Sequence, residues 1–178
     1  MKTLIAAASA AAIACAAPAI AQAQTAPTGV YAGVNYANAH ADDVNLGAIQ
    51  GRLGYRFNNW LGVEGELAAG IKSDDTNVLG TDVSVKLKHE VAAYGVGFLP
   101  ISPNTDLLAR IGYGNTKIKA SAGGASLSDD GDSWNFGVGA QHHFDGVNGV
   151  RVDYTRQEFT GDGAGHADVW SIGYTRRF

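Results

Sequence analysis

GRLGYRFNNWLGVEGEL, residues 51–67, carries two runs of alternating character joined by three turn residues. In the first, Leu53, Tyr55 and Phe57 alternate with Arg52, Gly54 and Arg56; in the second, Leu61, Val63 and Leu67 alternate with Gly62, Glu64 and Glu66. Period-two alternation marks a β-strand, because successive side chains leave a strand on opposite faces. The link Asn58-Asn59-Trp60 leaves room only for a hairpin. Setting Phe57 opposite Leu61 places Arg52 opposite Glu66, with Glu64 diagonal to it.

The same alternation recurs along the chain. It gives eight segments: 29–38, 46–57, 61–71, 84–98, 107–118, 133–144, 150–159 and 168–178. Each is about the 9–11 residues a tilted strand needs to cross a bilayer, or slightly longer. The links at 39–45, 72–83, 119–132 and 160–167 are long, whereas NNW, SPNTD and DGVNG are tight. That rhythm is expected of an up-and-down barrel with turns at one rim and loops at the other.

One parity collects the bulky apolar residues, including Val34, Tyr36, Leu53, Tyr55, Tyr94, Val96, Phe98, Ile111, Tyr113, Trp134, Phe136, Val152, Trp170, Ile172, Tyr174 and Phe178. The other collects glycine and polar residues: Asn35, Gln50, Arg52, Glu64, Glu66, Gly95, Gly97, Arg110, Gly112, Asn135, Gln141, Arg151, Asp153, Ser171, Gly173 and Arg177. Glycine weakens a strand and gains nothing on a face in water. The inside of a narrow barrel, in contrast, has little room beyond glycine and a few long polar chains. The apolar face is therefore expected against lipid, with the polar face lining the lumen. Tyr55, Phe57, Phe98, Phe144, Tyr174 and Phe178 lie beside tight turns or the last residue, and Tyr113, Trp134 and Trp170 toward the long loops, as two interfacial girdles. In hydrocarbon every backbone group needs a protein partner, so the last strand must close on the first.

Residues 1–23 open with Lys2, continue through an alanine-rich run and reach small residues at Ala19, Ala21 and Ala23. This is the layout of a secretory signal peptide cut after Ala23, leaving 24–178 as one barrel domain. Two rival readings are a retained anchor, which Pro18 interrupts, and lipidation at Cys15, whose surroundings lack the usual leucine. Cys15 is the sole cysteine, so the exported part has no disulfide. The formal net charge of −4 becomes one unit more negative without Lys2, which argues against a nucleic-acid partner.

GRLGYRFNNWLGVEGEL, YGVGF (94–98), LLARIGYG (107–114), VRVDYTR (150–156) and the final SIGYTRRF together resemble the small eight-stranded outer-membrane β-barrels of Gram-negative bacteria. These are the OmpA/OmpX-type and opacity-like "porin family" proteins. The resemblance implies an all-β, antiparallel transmembrane barrel in the outer membrane, in contact with its lipids and lipopolysaccharide. It also implies delivery by periplasmic chaperones and folding by the barrel-assembly machinery. In this family the last strand is the assembly signal; Ser171, Gly173, Tyr174 and Phe178 fall in that strand, while Arg176 departs from an apolar slot. A monomer is expected.

The lumen-facing charges Arg52, Glu64, Glu66, Arg110, Arg151 and Asp153 have two readings: a gate that lets ions pass, or a satisfied network that plugs the barrel. Eight strands leave an interior just wide enough for side chains, which favours the plug. A structural or surface-interaction role follows, with a narrow porin-like channel as the alternative and an adhesin-like surface protein as a second. His40, His89, His142, His143 and His166 lack a nucleophile partner at the outer rim and the spacing of metal ligands, so no catalytic, metal or cofactor site is expected. The acidic groups Asp42-Asp43, Asp74-Asp75, Asp129-Asp130 with Asp132, and Asp162 have two readings, sites for divalent cations at the cell surface or solvated loops, of which the second is favoured; Lys86 and Lys88 are either contacts for lipid phosphates or ordinary residues of a surface strand.

Overall fold

The computed structural model describes residues 28–41, 44–72, 74–78, 81–122, 125–160 and 165–178. The signal peptide, Cys15, Asp42, Asp43 and Asp162 lie outside the described residues, as do the side chains of Asp74, Asp75, Lys86, Asp129 and Asp130. Every described element is a strand: β1 (Gly29–Ala41), β2 (Val44–Arg56), β3 (Leu61–Lys72), β4 (Asp74–Val78), β5 (Thr81–Ser102), β6 (Thr105–Ala122), β7 (Ala125–His143), β8 (Asn148–Phe159) and β9 (His166–Arg177). All pairings are antiparallel, in the order β3-β2-β1-β9-β8-β7-β6-β5-β4. Pairing of β3 with β5 closes the ring, so eight strands form the barrel and β4 lies outside it against β5. The opening hairpin has the expected register, with Arg52 opposite Glu66 and the Phe57 amide donating to the Leu61 carbonyl at 2.9 Å.

The two faces divide as the alternation requires for most strands. Leu53 and Leu67 are 63% and 62% exposed, whereas Arg52 and Glu66 between them are 4% and 2% exposed. An apolar outside around a polar inside is stable only with lipid on the outer surface.

Strand β5 runs against expectation. Tyr94, Val96 and Phe98 point into the lumen and are buried, while Val91, Gly95 and Gly97 face outward or are only partly covered. From Val91 to Phe98 both faces of β5 are apolar, so hydropathy over that stretch does not choose between them. Size and local packing decide. Tyr94 pairs with Gly112 on β6, and a Cβ at Gly112 would collide with the Tyr94 ring. Tyr31 pairs with Gly54 in the same manner, its ring lying where a Cβ would go. Several inward glycines are thus the space taken up by an aromatic ring on the adjacent strand. Tyr31, Ala92, Tyr94, Val96, Phe98 and Leu108 form one apolar cluster within the lumen, with Tyr31 edge-on to Phe98 at 6.1 Å. Phe98 consequently belongs to the interior and not to an interfacial girdle.

Three expected loops are also largely strand; within 39–45, β1 and β2 stay paired out to Ala41 and Val44. β5 and β6 stay paired out to Val83 and Ala122, and β6 and β7 out to Ala122 and Ala125. Much of 72–83 and 119–132 therefore extends the sheet beyond the rim instead of forming irregular loops. β5 alone has 22 residues against 12 in β8 and β9. The tight turns lie at the opposite rim. At one of them Asp145 Oδ1 accepts from the amides of Val147 and Asn148 at 2.9 and 2.6 Å, and Gly146 takes a left-handed φ of 81°.

Candidate functional site

Ionised side chains from β2, β3, β6 and β8 converge at mid-lumen because inward parity on each strand puts them at one height. Arg52 Nε donates to Glu66 Oε2 at 2.6 Å, and its Nη1 reaches across to Asp153 Oδ2 at 2.5 Å. Arg110 Nη1 bridges Glu64 Oε1 and Glu66 Oε2 at 3.0 and 2.8 Å. Arg151 Nη1 meets Glu64 Oε2 at 2.6 Å while its Nε spans both Asp153 oxygens at 3.0 Å. All six residues lie in one network, and their side chains are at most 2% exposed. Three guanidiniums face three carboxylates, so the cluster is neutral.

Uncharged partners add to it. Gln50 and Ser171 accept from Arg52 Nη2 at 3.0 Å, Thr155 accepts from Arg110 Nη2 at 2.6 Å, and Tyr31 donates to Glu64 Oε2 at 3.1 Å. The Arg110 guanidinium also lies over the Tyr94 ring, 4.3 Å from its centroid. Buried ion pairs repay their desolvation only when the remaining donors and acceptors are satisfied. Arg52 and Arg151 have every guanidinium nitrogen engaged by carboxylate, amide or hydroxyl, while Arg110, against the Tyr94 ring, keeps its Nε without a hydrogen-bond partner among the described residues.

Two further polar groups lie above and below. Toward the turns, Asp106 accepts from both Nη atoms of Arg56, from Gln141 at 2.8 Å and from Arg177 Nη2 at 2.8 Å. Arg56 stacks over Phe98 at 4.2 Å and donates to the carbonyls of Asn58 and Asn59. Toward the loops, Gln157 donates to buried Glu90 at 2.6 Å, and Asn135 donates to the Tyr94 hydroxyl at 2.9 Å. Sequence reading missed Asp106 because β6 was begun at Leu107, although Asp106 has the inward parity of Arg110. It missed Glu90 because β5 was turned inside out. The signal was present: with Tyr94 outward, Glu90 would also face lipid.

The residues singled out in the last strand take four settings. Ser171 is buried in the lumen network, and Gly173 pairs with Asn35 and Arg151. Tyr174 faces outward and its hydroxyl donates to Asn148. Phe178 is 73% exposed, with its amide donating to the Val30 carbonyl and Arg176 lying over its ring. The histidines are dispersed: His40 bonds Asn45, His142 bonds Thr105, His143 is buried at the turn end, and His89 and His166 are exposed. Among the described residues no three His, Cys, Asp or Glu side chains group as metal ligands would.

Comparison with solved structures returns barrels of this architecture. The attachment invasion locus protein Ail of Yersinia pestis superposes with a TM-score of 0.60 at 24% identity, over 85% of this chain and 97% of that one. Neisserial surface protein A gives 0.60 at 12% identity, over 87% and 99%. OprG of Pseudomonas aeruginosa gives 0.56 at 15%, over 88% and 98%. At these identities the likeness concerns the fold. Among curated proteins none matches the sequence. A family model described as the outer membrane protein beta-barrel domain matches residues 7–178. With its closed ring of eight antiparallel strands, apolar outside and charged inside, the chain belongs to the outer-membrane β-barrel family and is an outer-membrane protein.

Proposed function

We propose that this protein is a plugged, non-catalytic barrel with a structural or surface-interaction role. The observation that carries the reading is the neutral mid-lumen network, whose bonds cross the interior from β2 and β3 to β8. The apolar cluster on its β5 side, and a second of Leu46, Ala48, Ala68 and Leu87 toward the loops, narrow the same passage. An ion crossing the lumen would have to part paired charges with nowhere to rehydrate them. Reconstitution into planar bilayers is expected to give no single-channel steps at moderate voltage; reproducible steps would establish the narrow-channel reading instead.

A surface-binding role is favoured by one further feature. β5, β6 and β7 carry paired backbone well beyond the ring, offering a sheet where the other strands have ended. The described solved structures include Ail in complex with the heparin analogue sucrose octasulfate, a property of that protein. In our reading this chain is a monomer that contacts outer-membrane lipids and lipopolysaccharide, with exposed Lys88 near the loop rim. Periplasmic chaperones and the barrel-assembly machinery deliver and fold it, the latter reading the strand that bears Ser171, Gly173, Tyr174 and Phe178.

A further inference from the structure

At the turn end of the lumen two buried guanidiniums meet one buried side-chain carboxylate. Arg56 and Arg177 share the single carboxylate of Asp106. One amino group of Arg177, Nη1, is buried with no hydrogen-bond partner among the described residues, and so are both ring nitrogens of His143. These side chains are well enclosed, at 9% exposure for Arg177 and 1% for His143. Together with Arg56, Gln141, Thr175 and Phe98 they line a cavity of about 10 Å³. A buried guanidinium N–H without an acceptor is costly, more so beside a second guanidinium.

We propose that this cavity binds one monatomic inorganic anion, a halide, against Arg177 Nη1 and a His143 N–H. Size selects the class: the space is about that of one water molecule, too small for a tetrahedral oxyanion without displacing side chains. Charge selects it over water, because the anion cancels the surplus positive charge of Arg56 and Arg177 over Asp106. Asp106 does not compete for the site, since its two oxygens are already held by four donors. The anion would neutralise the periplasmic end of the lumen as the paired charges neutralise its middle.

Crystals of the full-length protein purified from outer membranes, soaked in sodium bromide, test this directly. The expected result is an anomalous bromide peak inside the cavity within hydrogen-bond distance of Arg177 Nη1. Bromide on exposed basic side chains alone, an adventitious ion only, would overturn the proposal, as would ordered water in the cavity with no anomalous signal. In solution, the heat-unfolding midpoint should shift upward in sodium chloride relative to sodium gluconate at equal ionic strength. That shift should vanish in Arg177→Gln and in His143→Leu, the second serving if the first fails to assemble. An equal shift in wild type and in an assembled variant would refute the site.

Discussion

Arg52 makes four side-chain hydrogen bonds and touches residues from three other strands, so it ties the barrel wall across its own interior. Arg52→Ala would leave Glu66 and Asp153 each short of a cation in a site with almost no solvent. Breaking a buried pair from one side costs about 3–5 kcal/mol. The expected outcome is a lower unfolding temperature of the detergent-solubilised barrel, measured by loss of β-sheet circular dichroism. Double replacement of Arg52 and Asp153 by apolar residues of similar volume should recover part of that loss. At the surface, the Asp145 carboxylate is held down to about 2, chiefly by the Asn148 side-chain amide and then by the amides of Asn148 and Val147. Its folded value lies below the ordinary 3.8, so its contribution is complete above that value and disappears as pH falls through about 2. Asp145→Ala should therefore lower the unfolding temperature at pH 7 and make no difference near pH 1, as paired melting curves at the two pH values would show.

Strand β5 illustrates how far one element was legible. Its existence, direction and neighbours follow from alternation and hairpin spacing, as they do for the strands around Arg52. Its facing does not follow from residues 91–98, where both parities are apolar and bulk alone points to lipid; only Glu90, on the parity of Tyr94, marks the inward face. Inside this barrel, bulk is admitted wherever the adjacent strand offers glycine, as Gly112 does for Tyr94. The orientation can be checked through glycines alone. Gly112→Ala should destabilise, since the added carbon meets the Tyr94 ring and the Ala93 carbonyl. Gly95→Ala, where the nearest atom is 3.9 Å away, should be neutral or slightly stabilising, because a strand glycine carries an entropic cost. Heat-unfolding midpoints of the two variants measure this; the reverse order would return Tyr94 to the lipid face. The pairing Arg52 to Glu66 was legible because the turn fixes a local register. The links from Arg52 to Asp153 and from Arg151 to Glu64 were not, since they cross the lumen and depend on how the ring closes.

Over the whole molecule, polar groups are stacked along the barrel axis: Glu90 with uncharged partners toward the loops, a neutral cluster at mid-lumen, and surplus guanidinium toward the turns. This layering joins all eight barrel strands into one interior, so in the plugged-barrel reading we propose, stability and impermeability have the same source. The bilayer silence expected of the intact barrel and the thermal cost of Arg52→Ala are two readouts of that source. The outer surface carries its own record of the bilayer. Trp60 sits in a tight turn at one rim, while Trp134, edge-on to Tyr113, and Trp170, packed on Tyr154, lie toward the other. All three indoles are substantially exposed on the outer surface. Their fluorescence is thus a built-in depth gauge: a derivative keeping Trp60 alone would report one leaflet, one keeping Trp170 alone the other, and brominated lipids would read the two heights separately.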